Sequence, residues 1–245
     1  MKTIYPKKLS RLYVSGLLGE HQDVTLLPEQ SHYLLNVLRK KEGDQVLLFN
    51  GQQGEWLASL KIQGKKELSG LCETLIRPQS KAPTVWLAFS PLKKHRQDFL
   101  IEKTTELGVG TLVPLEMRYT NLLSFNTEKV TKQAIEAAEQ CERLTIPDVK
   151  SLGGLVAWLK GWPTGRILYV ALERQPEDTL EKILEHDKKA AFLVGPEGGF
   201  SEEEVDLLSR YPFVKFFSLG EHILRAETAA MMCLGLYSQF RPRQA

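Results

Sequence analysis

The chain reads as an α/β protein: a small all-β piece, then a larger domain built on a mostly parallel sheet. Three observations predict this. Among 245 residues, 42% are apolar and 25% charged, the balance of a packed globular chain, and the length suits one large domain or two ordinary ones. Upstream of residue 77, short apolar runs are joined by glycine-bearing turns, as in a small barrel. From residue 85 onward, apolar runs alternate with helical segments, the rhythm of βα units. The boundary is placed at RPQSKAP (77–83), where two prolines bracket polar residues, and divides the chain into 1–76 and 77–245.

In the first part, Glu29 to Leu38 carries Leu34, Leu35, Val37 and Leu38 at helical spacing, entered by Pro28 and left through Gly43-Asp44. QVLLFN, EWLASLKIQ and LSGLCETLI follow as strands, the first two separated by the turn Gly51 to Gly54. In the second part, VWLAFS (85–90) is a strand, 96–107 a helix closed by Gly108, and TLVPLEM (111–117) a strand. A helix is expected over Thr127–Leu144, with Val130, Ala134, Ala137, Ala138 and Cys141 on one side. RILYVAL (166–172), AAFLVG (190–195) and FVKFFSL (213–219) are strands; Asp178–Glu185, Glu202–Arg210 and Ala226–Phe240 are helices.

A net charge of +2 excludes a strongly basic nucleic-acid coat but not a local patch. Residues 1–77 carry 11 basic and 8 acidic side chains against 21 and 22 in the rest, so the excess sits in the small part. Cys72, Cys141 and Cys233 lie far apart, which fits reduced thiols in a cytoplasmic protein and argues against a disulfide framework or a zinc site. No apolar run approaches the ~20 residues of a membrane span. Lys7, Lys8 and Arg11 interrupt the start too early for a signal peptide.

Parallel sheets bind ligands at the carboxyl ends of their strands, and three such ends stand out. In LVGPEGGFSEEEVD (193–206), a strand runs into a turn with three glycines in five residues, and Ser201 with Glu204 forms a capping box. The turn is not a G-x-G-x-x-G or a P-loop, and Glu197 would repel phosphate. For such a glycine pattern taken alone, a tight βα turn with a good cap is the commoner explanation. In FSLGEHILRAETAAMMCLGL (217–236), Leu219, Ile223 and Leu224 offer a flat apolar slot before a helix opening at Glu227; a strand-to-helix connection with hydrophobic plugs is the alternative. The third set is basic: Lys93 to Arg96 and Arg118 to Asn121. With Arg11, Arg39, Lys40 and Lys41 it forms either a phosphate track or ordinary solvated loops. The five histidines show no metal-ligand spacing, and no G-x-S-x-G marks a hydrolase.

Six ordered blocks carry a resemblance: RLYV, HYLLNVLRKKEGD, IEKTTELGVGTLVPLEMRYT, AAEQCERLTIPD, LVGPEGGFSEEEVD and SLGEHILRAETAA. Together they resemble the bacterial small-subunit (16S) ribosomal RNA uridine-N3-methyltransferases, of the SPOUT class of trefoil-knotted enzymes. The resemblance implies a PUA-like RNA-binding β-barrel over 1–76. It implies a SPOUT α/β methyltransferase domain over 77–245 with a deep trefoil knot, S-adenosylmethionine as cofactor, and a homodimer to which the last helix contributes. It places the cofactor against Leu172, against Val194, Gly195, Pro196, Glu197 and Gly198, and against Leu219, Gly220, Ile223 and Leu224. Arg225 and Glu227 are implied at the catalytic, substrate side, and Arg11, Arg39, Lys93, Arg96 and Arg118 as RNA contacts. Glu139, Gln140 and Arg143 lie in another matching block without an assigned role. Where the family's motif usually has Arg before Ile223-Leu224-Arg225, this chain has His222.

The implied substrate is 16S rRNA or the assembled small subunit, with no metal and no membrane. The implied reaction is methyl transfer from a sulfonium to N3 of an unpaired uracil, with Arg225 stabilising charge on the uracil oxygens and Glu197 or Glu227 as candidate proton acceptors. The alternatives are a SPOUT enzyme for another RNA nucleotide and a non-catalytic RNA-binding protein retaining the fold.

Overall fold

The computed structural model describes residues 9–64, 67–121, 124–173, 178–185 and 188–240. The elements begin with β1 (Arg11–Tyr13), β2 (Asp23–Thr25) and α1 (Pro28–His32), which continues as a wider π turn over Tyr33–Val37. Next come β3 (Gln45–Phe49), β4 (Glu55–Ile62), β5 (Leu68–Arg77), β6 (Trp86–Phe89), α2 (Lys94–Glu106), β7 (Thr111–Glu116) and α3 (Thr127–Gln140). Then follow β8 (Asp148–Val149), β9 (Gly153–Gly154), α4 (Leu155–Lys160), β10 (Arg166–Ala171) and α5 (Leu180–Ile183). The last are β11 (Lys189–Val194), α6 (Glu202–Ser209), β12 (Val214–Phe217) and α7 (Ala226–Phe240). Two compact units form, one of residues 1–81 with 138–146, the other of 82–137 with 147–245.

The first unit is a curled five-stranded sheet in the order β1-β3-β4-β5-β2. β1 runs parallel to β3, and the other pairs are antiparallel. Register shifts between β4 and β5 at Glu55/Trp56 and Leu57/Ala58 mark bulges, which bend a strand and tighten its twist. Gly54, just before β4, lies at φ 81, and a Cβ there would stand 2.3 Å from the Arg77 carbonyl oxygen, so only glycine fits. Leu34, Val46, Leu48, Leu60, Leu68 and Cys72 fill the interior.

Arg11 belongs to this framework and not to a phosphate track. Its side chain is 6% exposed and pairs with Glu55, itself 1% exposed. Arg77 grips the same carboxylate from Nε and Nη2 at 2.7 and 2.9 Å. The Arg11 nitrogens also donate to the carbonyls of Ala138 and Arg143 at 2.5 and 2.6 Å, and its guanidinium lies 3.6 Å from the Phe49 ring centroid. Burial pulls this arginine below its usual pKa, opposed by the bond to Glu55. A guanidinium so surrounded has no face left for RNA.

The same contacts explain why α3 stops at Gln140 and not at Leu144. Glu142 turns left-handed at φ 60, and Leu144 then packs with Phe49 and Ala138. Arg11 satisfies carbonyls that the helix end leaves open. Glu139 accepts from the Tyr13 N–H at 2.8 Å, which gives that sequence block its structural role.

In the second unit, parallel strands follow the order β12-β10-β11-β6-β7-β8, with β9 also pairing β7. Ala190 to Val194 of β11 are all buried, as a strand covered on both faces requires. Leu168, Val170, Ala191 and Leu193 pack with Ala88 and Val113, and Trp162 stacks on Phe213 with centroids 4.7 Å apart. Arg166 is a buried cation, 3.8 Å from the Trp86 ring centroid and donating to the carbonyls of Thr84 and Ala190 at 2.8 and 2.6 Å; burial pulls its pKa down to about 10. β8, β9 and α4 are too short for periodicity to reveal, and α5 is shorter than the expected 178–185. The chain lays β7 on one side of β6 and β10, β11 and β12 on the other, so the carboxyl ends of the last three lie side by side.

Candidate functional site

Those three ends open onto a cavity of about 580 Å³. Ala171 to Glu173 follow β10, Val194 to Phe200 follow β11, and Leu219, Gly220 and His222 to Ala226 follow β12; Arg96 of α2 and Ala229 of α7 complete the wall. All ten residues that the resemblance assigns to the cofactor line this one space.

Local chemistry builds each segment. After β11 the chain turns on a bond from the Gly199 N–H to the Pro196 carbonyl at 2.9 Å, with Gly199 at φ 75. Ser201 then caps α6 as expected: its hydroxyl accepts from the Glu204 N–H at 3.3 Å, and its own N–H donates to Glu204 Oε2 at 2.9 Å. The second oxygen of Glu204 accepts from the Arg118 N–H at 2.8 Å, which ties the loop after β7 to this cap. After β12, Gly220 sits at φ 115, a conformation other residues rarely adopt, and donates its N–H to Ser218 Oγ at 3.2 Å. Ile223, an apolar side chain, is left 58% exposed beside the cavity.

The wall combines an apolar face with charged groups of both signs, the arginines being Arg96 and Arg225. Leu172, Phe200, Leu219 and Leu224 supply the apolar part, glycine turns leave backbone groups accessible, and Glu173 and Glu197 supply carboxylates. Arg96 was expected among the RNA contacts, but it stands in this wall. Its Nη1 donates to Glu197 Oε1, and its Nε lies 3.9 Å from Glu227 Oε1. The Glu227 side chain is only 9% exposed and is not part of the wall, and its Oε2 has no hydrogen-bond partner. Arg225 lines the cavity with its side chain exposed.

The remaining basic candidates are spread. Arg39 is exposed at φ 55 in the first unit, while Lys93, directly before α2, and Arg118 are exposed in the second. Sequence reasoning missed Glu173, Phe200 and Ala229 as wall residues. The strand-end rule already pointed at the first two. Among the described residues, no group of His, Cys, Asp and Glu could hold a metal ion, and no helix is long and apolar enough to cross a membrane.

Comparison with known proteins agrees with this geometry. A family model described as an RNA methyltransferase domain matches residues 79–238, and one described as an RNA methyltransferase PUA domain matches 26–70. The chain is 37% identical to the ribosomal RNA small subunit methyltransferase E of Rickettsia conorii over 93% of its own length and 94% of the relative's. To the protein of that name from Bacillus subtilis it is 29% identical, covering 90% and 91%. A structure of the Neisseria gonorrhoeae ribosomal RNA small subunit methyltransferase E bound to S-adenosyl methionine superposes with a TM-score of 0.84, at 25% identity, over 96% of this chain and 98% of that one. A Legionella pneumophila protein solved with S-adenosylmethionine bound also gives 0.84, at 29% identity over 95% and 98%. Strand order, cavity and sequence therefore agree: the chain belongs to the RNA methyltransferase family that includes the ribosomal RNA small subunit methyltransferase E proteins.

Proposed function

We propose that the protein transfers a methyl group from S-adenosylmethionine to N3 of one uridine in 16S rRNA. The observation that carries this reading is the cavity shared by the carboxyl ends of β10, β11 and β12. S-adenosylmethionine supplies an activated methyl group on positively charged sulfur. Its adenine suits the slot of Leu172, Leu219, Ile223 and Leu224, where backbone groups can read the ring edge, and Glu197 puts a carboxylate near a cationic ligand.

N3 lies on the pairing edge of uracil, so the target must be unpaired or flipped, at about a few kcal/mol. Arg225, exposed at the cavity, is assigned to the RNA side of the site. Arg39, Lys93 and Arg118 are assigned to phosphates, each exposed in its own unit. Within the same reading the protein is a cytoplasmic homodimer with a knotted cofactor segment. Met231, Met232 and Leu236 on α7 keep part of their surface exposed, as a subunit contact needs.

The test compares modified nucleosides of small-subunit RNA from cells with and without the gene, then restores the lost methyl group with purified protein. Loss and restoration of 3-methyluridine is expected. A different nucleoside would reassign the target, and an unchanged profile would favour a binding protein.

A further inference from the structure

We propose that Glu197 is the catalytic residue that takes the N3 proton, and that Arg96 and the buried Glu227 position it. This rests on the reading above and names the group that reading leaves open. In the step, the N3 lone pair forms the bond to the methyl carbon and the carbon–sulfur bond breaks. Its electron pair goes to sulfur, which becomes neutral, and the N3 proton passes to the Glu197 carboxylate.

Three elements converge on one guanidinium. Arg96 comes from the first turn of α2, Glu197 from the turn after β11, and Glu227 from the first turn of α7. Glu227, 9% exposed and set behind the wall, is the less accessible of the two carboxylates to a ligand in the cavity. It faces Arg96 instead, 3.9 Å away, and Arg96 Nε and Glu227 Oε2 are both buried without hydrogen-bond partners. An isolated buried carboxylate is costly, so Glu227 requires that cation and holds it by charge. Arg96 then fixes Glu197 through Oε1 alone, leaving the second carboxylate oxygen for a ligand. Glu197 is itself in the wall, on the bare turn where a ligand approaches. A buried carboxylate orients a cation, and the cation orients the working group, which is how a general base is held ready. The other titratable or charged groups of the wall are Glu173, His222 and Arg225. Among the described residues, neither Glu173 nor His222 has a comparable anchor.

Glu197→Gln is assayed on small subunits in single turnover, alongside calorimetry with S-adenosylmethionine. At saturating S-adenosylmethionine, turnover is expected to fall about 100-fold, as for loss of a general base, a loss well beyond whatever weakening of cofactor binding follows from removing the carboxylate. Raising the pH, or placing 5-fluorouridine (whose N3–H is more acidic) at the target, is expected to restore more of the lost rate in the variant than it adds to the parent. Arg96→Lys is expected to keep more activity than Arg96→Gln, and Glu227→Gln to shift the pH–rate profile. Three results would overturn the assignment: near-parental turnover, a turnover loss matched by weaker cofactor binding, or acid-imide rescue in Glu173→Gln or His222→Gln but not in Glu197→Gln. A parent protein that makes no 3-methyluridine would overturn the underlying reading before any variant is made.

Discussion

Replacing Arg11 with alanine separates a structural arginine from an RNA contact. The substitution removes one of two cations on Glu55, which is 1% exposed, and the donors to the Ala138 and Arg143 carbonyls. Breaking a buried ion pair costs about 3–5 kcal/mol. Arg77 keeps its two bonds to the same carboxylate, which places the loss near the lower end, about 3 kcal/mol. For a chain of this size melting as one transition, each kcal/mol lowers Tm by about 2–4 °C, so Tm falls by about 6–12 °C. The assay pairs thermal melting by circular dichroism with RNA affinity across a salt series well below Tm. The salt slope is expected to stay at the parental value. An unchanged Tm with a slope reduced by about 0.7–0.9 would refute the reasoning, since that is what loss of one phosphate contact gives.

The other predictions concern the surface and the cavity. Arg39→Ala and Lys93→Ala, both at exposed positions, should each reduce the salt slope of RNA binding by about 0.7 without moving Tm; a melting change without a slope change would assign them to the fold. Gly220→Ala forces a side chain onto φ 115 and should cost about 1–3 kcal/mol, read as an S-adenosylmethionine Kd raised about tenfold or more; parental affinity would remove this loop from the site. Ala229→Leu projects bulk from α7 into the cavity and should abolish cofactor binding while leaving the circular dichroism spectrum intact. Retained binding there would move the ligand elsewhere.

The βα alternation and strand-end logic were legible because they depend on local patterns: a continuous apolar run, glycines, then a capping serine. Gly195 to Ser201 is read correctly from fourteen consecutive residues, and its capping hydrogen bonds are the ones expected. Charge was harder to read. Arg11 in RLYV looks like any surface arginine, and only the return of residues 138–146 to the first unit gives it carbonyls to satisfy. Arg96 sits in a Lys-Lys-His-Arg run that reads as solvated, yet its partners Glu197 and Glu227 lie about a hundred or more positions away. No periodicity encodes such distances. Glu142 is another case: a helix former by composition, it takes a left-handed conformation because the residues after it pack elsewhere.

A crystal structure grown with S-adenosylmethionine is the most direct test of the central claim. The ligand should lie against Gly195 to Gly198 and Leu219-Gly220, with its methyl group open toward Arg225 and Glu197. Density at another place, or calorimetry without heat at millimolar ligand, would contradict it.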